Sequence, residues 1–342
     1  MLLVLLLSVF ALCLYGIRFE RKGFNESYLS KDSTNSIKGI FILLIVLSHS
    51  IPYIRDCGYS FIGIIDFCFD KFFRLLSQLV VVMFLFYSGY GVGESYKLKG
   101  KRYVKAMPRH RILGTLLNFD VAVIVFIVLD LLLGISLTAN QCLLSLTGWS
   151  AVGNSNWYIF VILLCYLMTY FVLRLPLKKP SQKVALLFGL CATCVLLLSL
   201  FKESYWYNTL LCYPMGFMYS TYKDKTESRI KASYWICAVM ATLSFVLLYT
   251  FLRNHQISYN AVSMAFAIMV VILTLKVRIN NRLLVWLGVH LFPIYIYMRL
   301  PMLFMEHQAP QFVGTYPVLF IIISLVVTAL VAGCYRYWEI KL

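Results

Sequence analysis

Lys38-Gly-Ile-Phe-Ile-Leu-Leu-Ile-Val-Leu-Ser-His49 is an apolar run bounded by a lysine and a histidine. It is greasy enough to begin a membrane span, and a histidine inside such a run needs a reason. On an α-helix the eleven steps from Lys38 to His49 amount to 20° beyond three turns at ~100° per residue, so both side chains project from nearly the same face. They stand roughly 16 Å apart along the axis. A cation near one membrane surface and an imidazole deeper in, facing the same way, line a path into the bilayer.

The rest of the chain reads in the same way. Of 342 residues, 61% are hydrophobic and only 13% charged, more apolar surface than a soluble protein of this length hides in its interior. Largely apolar runs recur at 2–17, 38–54, 74–92, 112–133, 156–174, 185–201, 206–221, 233–252, 259–275, 284–303 and 315–334. Each is matched in length to a hydrocarbon core of about 30 Å, some only just. The predicted fold is therefore all-α, a polytopic transmembrane helical bundle of about eleven spans. A β-barrel would show alternating ten-residue strands instead. No connection exceeds about twenty residues, so one membrane-embedded domain over 1–342 is expected, with no soluble domain attached.

Charge orients the bundle. Once helix-end charges such as Lys38, Arg174 and Lys276 are assigned to their neighbouring loops, 25 of the 31 Lys and Arg fall on one side. Six remain on the other side or within a span: Arg55, Lys71, Arg74, Lys202, Arg253 and Arg299. By the positive-inside rule the basic loops are cytoplasmic, with the amino terminus outside and the carboxyl terminus inside. The net charge of +17 is then a topology signal, and a nucleic-acid partner is excluded for want of a soluble basic module. The first run is expected to stay as a helix, not to be cleaved as a signal peptide, because Arg18, Arg21 and Lys22 follow it and nothing basic precedes it.

Most of the ten cysteines lie within predicted spans as small apolar fillers, including the Cys191/Cys194 pair, and no metal site is expected. Whether Cys57 and Cys68 pair is left open. Asp120 and Asp130 are expected to face the bundle interior, with solvation at the rim the alternative for Asp130.

Several motifs follow one another in a telling order. Lys38 to Ser50 resembles the opening signature of the acyltransferase-3 family, in which a basic residue stands eleven positions before a histidine. Met83-Phe-Leu-Phe-Tyr-Ser-Gly-Tyr-Gly91 is similar to that family's Phe-Phe-x-x-Ser-Gly-Phe/Tyr element. Lys105-Ala-Met-Pro-Arg-His-Arg-Ile-Leu113 resembles its basic lead into the third helix, and Ser155-Asn-Trp-Tyr-Ile159 the Trp-Tyr/Phe start of a later span. Leu287-Gly-Val-His-Leu-Phe-Pro-Ile-Tyr-Ile-Tyr-Met-Arg-Leu-Pro301 resembles its late segment. The ordered set covers about three quarters of the chain. Two departures stand out: lysine replaces the usual arginine at position 38, and the late segment has no histidine after Tyr297. The span at 2–17 also lies outside the usual ten-helix core, which would occupy 38–342.

The resemblance implies an integral membrane enzyme that moves an acyl group, usually acetyl from cytoplasmic acetyl-CoA, onto hydroxyls of envelope or lipid-linked glycans. His49 takes the place of the catalytic residue. An imidazole, with an ordinary pKa of ~6.5, suits the removal of a proton from an attacking sugar hydroxyl; a covalent acyl-histidine relay is the variant. Lys38, Arg109 and Arg111 are the candidates for binding the phosphates of the donor. The segment 97–111 holds seven basic residues in fifteen positions, although every cytoplasmic loop of such a protein is basic. Ser88, Gly89, Tyr90, Trp157, Tyr295 and Arg299 are candidates for the substrate path. Each has a plainer reading: small residues for helix packing, an interfacial tryptophan, a snorkelling arginine. The expected partners are acyl-CoA, a glycan acceptor and the lipid bilayer of the cell membrane. The competing function is a glycan or lipid transporter or flippase in which Lys38, His49 and Arg299 line a pore.

Overall fold

A computed structural model describes residues 2–342 of the chain. In order, the helices are α1 (Leu2–Leu14), α2 (Lys31–Asp56), α3 (Ile64–Leu76), α4 (Leu79–Lys99), α5 (Lys101–Met107), α6 (Gly114–Leu132), α7 (Ala139–Leu146), α8 (Trp157–Arg174) and α9 (Pro180–Ser199). They continue with α10 (Cys212–Ala232), α11 (Tyr234–Leu252), α12 (Tyr259–Thr274), α13 (Arg282–Val289), α14 (Leu291–Tyr297), α15 (Arg299–Gln308), α16 (Pro310–Thr315) and α17 (Pro317–Cys334). A π-helical turn at Pro108–Leu113 joins α5 to α6. Two three-residue strands, β1 (Ile17–Phe19) and β2 (Val277–Ile279), pair antiparallel with Arg18 opposite Arg278.

The all-α membrane architecture expected from the sequence is what the chain adopts, and each of the eleven apolar runs overlaps at least one helix. Seven helices are long and apolar enough to cross a membrane, or eight if the bent unit Arg282–Gln308 counts as one. The shortfall from eleven has physical causes. α1 and α12 are only 13 and 16 residues long. α10 kinks at Tyr222 and continues as a charged helix carrying Lys223, Asp224, Lys225, Glu227, Arg229 and Lys231.

One predicted span is sharply bent and another is interrupted locally. The run 284–303 bends by 65°, and its helices stop at Val289 and Tyr297. These are the residues four before Pro293 and Pro301, whose rings clash with that carbonyl and offer no N–H to it. The run 74–92 breaks at Ser77, which adopts φ 41°, the only positive value outside glycine among the described residues. The two pieces, α3 and α4, still form together one candidate span over Asp66–Lys99.

Close backbone contact welds the core. α4 carries Gly89 and Gly93, and α10 carries Gly216 and Ser220, small residues spaced by four on both partners. A Cβ placed on Gly89 would overlap the Tyr213 carbonyl oxygen, and one on Gly216 the Phe86 carbonyl oxygen. Such small-residue seams let membrane helices gain dispersion energy where no hydrophobic drive separates protein from lipid. Elsewhere the bundle turns apolar side chains outward. α11 buries only Tyr234 and Ala238, leaving Trp235, Met240, Leu247 and Phe251 exposed as a lipid-facing surface.

The basic residues gather at one end, here called the basic face. There β1–β2 and a set of amides tie the first thirty residues to the core. Asn281 donates to the Leu12 carbonyl at 2.9 Å and accepts from the Leu283 and Leu284 N–H groups, capping α13. Asn25 donates to the Thr274 and Val277 carbonyls. Tyr28, fully buried, bonds Tyr219 at 2.7 Å and donates to Glu227 at 3.0 Å. The first apolar run is packed, not peripheral: Leu2, Leu6, Val9 and Cys13 are buried. Asp130 is 2% exposed, so the interior placement applies to it and rim solvation does not. Cys57 and Cys68 are both free thiols.

Candidate active site

α2 runs from the basic face toward the opposite end of the bundle. His49, half-buried on its far half, lines a cavity of about 300 Å³ together with Gln78, Asn154, Ser155, Tyr295 and Arg299. Three turns and more of helix separate it from Lys38, which lies roughly 16 Å back along α2. Local sequence shapes this stretch. Pro52 stands inside α2 and has no N–H for the carbonyl four residues back, so the Ser48 carbonyl beside His49 loses its helical donor.

Tyr53, one turn beyond His49 on the same helix, clamps Arg299. The guanidinium donates from Nε to the Tyr53 hydroxyl at 2.8 Å and from Nη1 to the Asn154 carbonyl at 3.2 Å. Its carbon lies 5.5 Å from the centre of the Tyr53 ring, within reach of a cation–π contact. Arg299 is the first residue of α15. With two of its five donors engaged, the rest remain for a ligand. Arg299 therefore lines the His49 cavity, held by Tyr53 and Asn154.

The cavity is polar and incompletely satisfied. Gln78 Oε1, Asn154 Nδ2, Ser155 Oγ and the Tyr295 hydroxyl are buried without hydrogen-bond partners among the described residues, and all four residues line it. A buried polar group left unpaired costs about 1–3 kcal/mol, so such clusters mark places where a ligand or water completes the bonding. No carboxylate lines this cavity among the described residues. At its rim Trp157 and Tyr205 meet edge to face at 5.9 Å. The strained Ser77 also contributes to the wall, consistent with unusual backbone geometry collecting at functional sites.

The other candidates divide. Lys38 is half-buried, 5.9 Å from the Tyr87 ring centre, and Arg111 is the charged group that acts on it. Arg111 in turn lines a cavity of about 710 Å³ at the basic face with Lys99, Arg102 and His110. Arg109 and Arg111 are both exposed, but Arg109 does not line that cavity. Gly89 is spent on the α10 seam, and neither Ser88 nor Tyr90 lines the His49 cavity; Tyr90 lies 6.3 Å from Tyr219, ring to ring. Trp157 and Tyr295, by contrast, share the cavity with His49 and Arg299. The largest cavity, about 880 Å³, lies at the basic face between α6, α13 and the carboxyl-terminal tail and holds neither His49 nor Arg299.

Sequence reasoning missed Tyr53, Gln78, Asn154 and Ser155. One signal was available for two of them: Asn154-Ser155-Asn156 is a polar triplet directly before the Trp157 motif. Nothing local marks Tyr53 or Gln78, whose roles depend on partners distant in sequence.

The arrangement pairs an imidazole with a guanidinium in a polar pocket at one end of α2, and a basic cavity at the other. An imidazole facing bound hydroxyls removes a proton, and an adjacent cation stabilises developing negative charge. Residues 32–336 match the family model described as an acyltransferase domain, of the acyltransferase-3 family. No curated protein and no solved structure gives a match. The match takes in His49, Arg299 and both cavities' helices, leaving residues 1–31 and 337–342 outside it, and the chain belongs to the acyltransferase-3 family of membrane acyltransferases.

Proposed function

We propose that this membrane acyltransferase moves an acetyl group from acetyl-CoA to a hydroxyl of an envelope or lipid-linked glycan, in the cell membrane, with the basic face cytoplasmic. The observation that carries the reading is the His49 cavity itself: a base, a cation and four unpartnered polar atoms with no carboxylate. A polyhydroxylated, uncharged acceptor satisfies such a mixture of donors and acceptors, whereas an ammonium would find no carboxylate there and would be repelled by Arg299. The donor's phosphates belong with the basic cavity of Lys99, Arg102 and Arg111, and its thioester end points along α2 past Lys38 and Tyr87.

In the transfer the acceptor hydroxyl gives its proton to His49 as its oxygen bonds to the thioester carbonyl carbon. The C–S bond then breaks, and the CoA thiolate takes the proton from the imidazolium. The relay variant places the acetyl on His49 first and differs only in accumulating an acyl-histidine. His49→Ala is expected to abolish acetylation of the cell's glycans while insertion and abundance stay at the wild-type level. A His49→Ala protein that leaves glycan acetylation intact would refute the assignment.

A further inference from the structure

Asn154 sits in the loop entering α8 and is 1% exposed. Its Oδ1 accepts the Val152 N–H at 3.1 Å, which decides the orientation of the amide and turns Nδ2 away from the loop. That Nδ2 has no partner among the described residues, and Asn154 is on the wall of the His49 cavity. Its backbone carbonyl is the group that receives Arg299 Nη1 at 3.2 Å, so one residue both aims the guanidinium and presents a free donor next to it.

The surroundings favour negative charge at this spot. Ser155 and Tyr295, at 3% and 1% exposure, bring further unpartnered hydroxyls to the same wall. The 18-residue helix α8 begins here without a side-chain cap, because Asn156 gives its amide to the Gly148 carbonyl at 2.7 Å. Its first-turn N–H groups and the positive end of its dipole therefore add to the field. Two acids are near, Asp130 beside Gly153 and Glu306, which acts on Arg299, but neither lies on the cavity wall.

We propose that Asn154 is a catalytic residue: its Nδ2 donates to the thioester carbonyl oxygen as that oxygen takes up negative charge, beside Arg299. The assignment rests on the acetyl-transfer reading above. As the acceptor oxygen attacks the carbonyl carbon and His49 takes its proton, the carbonyl π pair moves onto oxygen. Asn154 and Arg299 hold that oxyanion until the C–S bond breaks and the carbonyl re-forms. A fixed donor aimed at developing charge in a site shielded from water stabilises the transition state more than the ground state.

The experiment uses the full-length protein in lipid vesicles, labelled acetyl-CoA and glycolipids extracted from membranes of the producing organism. Asn154→Asp keeps the acceptor for the Val152 N–H and the carbonyl for Arg299 but replaces the donor with a carboxylate. It is expected to lower kcat at least about 10²–10³-fold with little change in KM for acetyl-CoA and a wild-type melting curve. Asn154→Ala, which only removes atoms, is expected to show the same kcat loss and serves if the aspartate variant folds poorly. Folded variants that retain wild-type kcat, beside an active wild type, would overturn the role of Asn154 alone. A wild type that transfers no acetyl group would overturn the functional reading beneath it.

Discussion

The α4–α10 seam yields a sharp test. In Gly89→Ala the added methyl would lie on the Tyr213 carbonyl, 2.9 Å from its carbon and 3.1 Å from Phe217 N; in Gly216→Ala it would lie on the Phe86 carbonyl and 2.9 Å from Tyr90 N. Overpacking costs about 1–3 kcal/mol, and the upper end applies because backbone atoms cannot rotate out of the way. Alanine's better helix propensity returns about 1 kcal/mol. Each substitution should therefore destabilise by about 2 kcal/mol net, roughly the upper-end overlap less that gain. The two should not add. Once the helices have moved apart for one methyl the second fits more easily, so the double variant should fall short of the sum by about 1 kcal/mol. Gly91→Ala on the same helix is the control, since no heavy atom lies within 4 Å of its would-be Cβ; it should be neutral or slightly stabilised. Equilibrium unfolding of purified protein in mixed micelles measures all four. A Gly89→Ala variant as stable as Gly91→Ala, or strict additivity, would refute the close-packed seam.

Two further outcomes follow from the basic face. Arg111→Ala should weaken acetyl-CoA binding about tenfold, the loss of one charged hydrogen bond of about 1.5 kcal/mol, while the exposed Arg109→Ala should not; equal losses in titration calorimetry would count against the basic cavity as the donor site. Burial would raise the Glu227 carboxyl, but hydrogen bonds from Lys231 and Tyr28 and the charges of Lys231 and Lys223 outweigh it and hold the group below its ordinary 4.5. A folded-state value below the unfolded one contributes stability that is present above 4.5 and lost as pH falls through the folded value. The melting temperature should drop more steeply on the acid side in wild type than in Glu227→Gln, and parallel curves would sink this account.

The site illustrates how far one-dimensional patterns reach. His49 and Lys38 were recognisable because a polar residue in an apolar run is rare and helical spacing decides which face it shares. Arg299 and Tyr295 carried the same kind of signal. Gly89 did not distinguish packing from lining, since a small residue serves both, and only the Tyr213 carbonyl across the seam assigns it to packing. Arg109 and Arg111, two residues apart, are equal as sequence, yet only Arg111 lines the basic cavity.

Hydropathy by itself determined the class of the fold and where most of the long apolar helices lie, because the bilayer requires long apolar helices. Motif order identified the family. Tertiary structure alone decided where helices break into separate pieces, since a proline signals a fault but not the angle that results. It alone joined Tyr53, Gln78, Asn154 and Arg299 around His49. Those contacts link residues up to 246 positions apart, and hydrogen-bond satisfaction is a property of the packed chain that no local window contains.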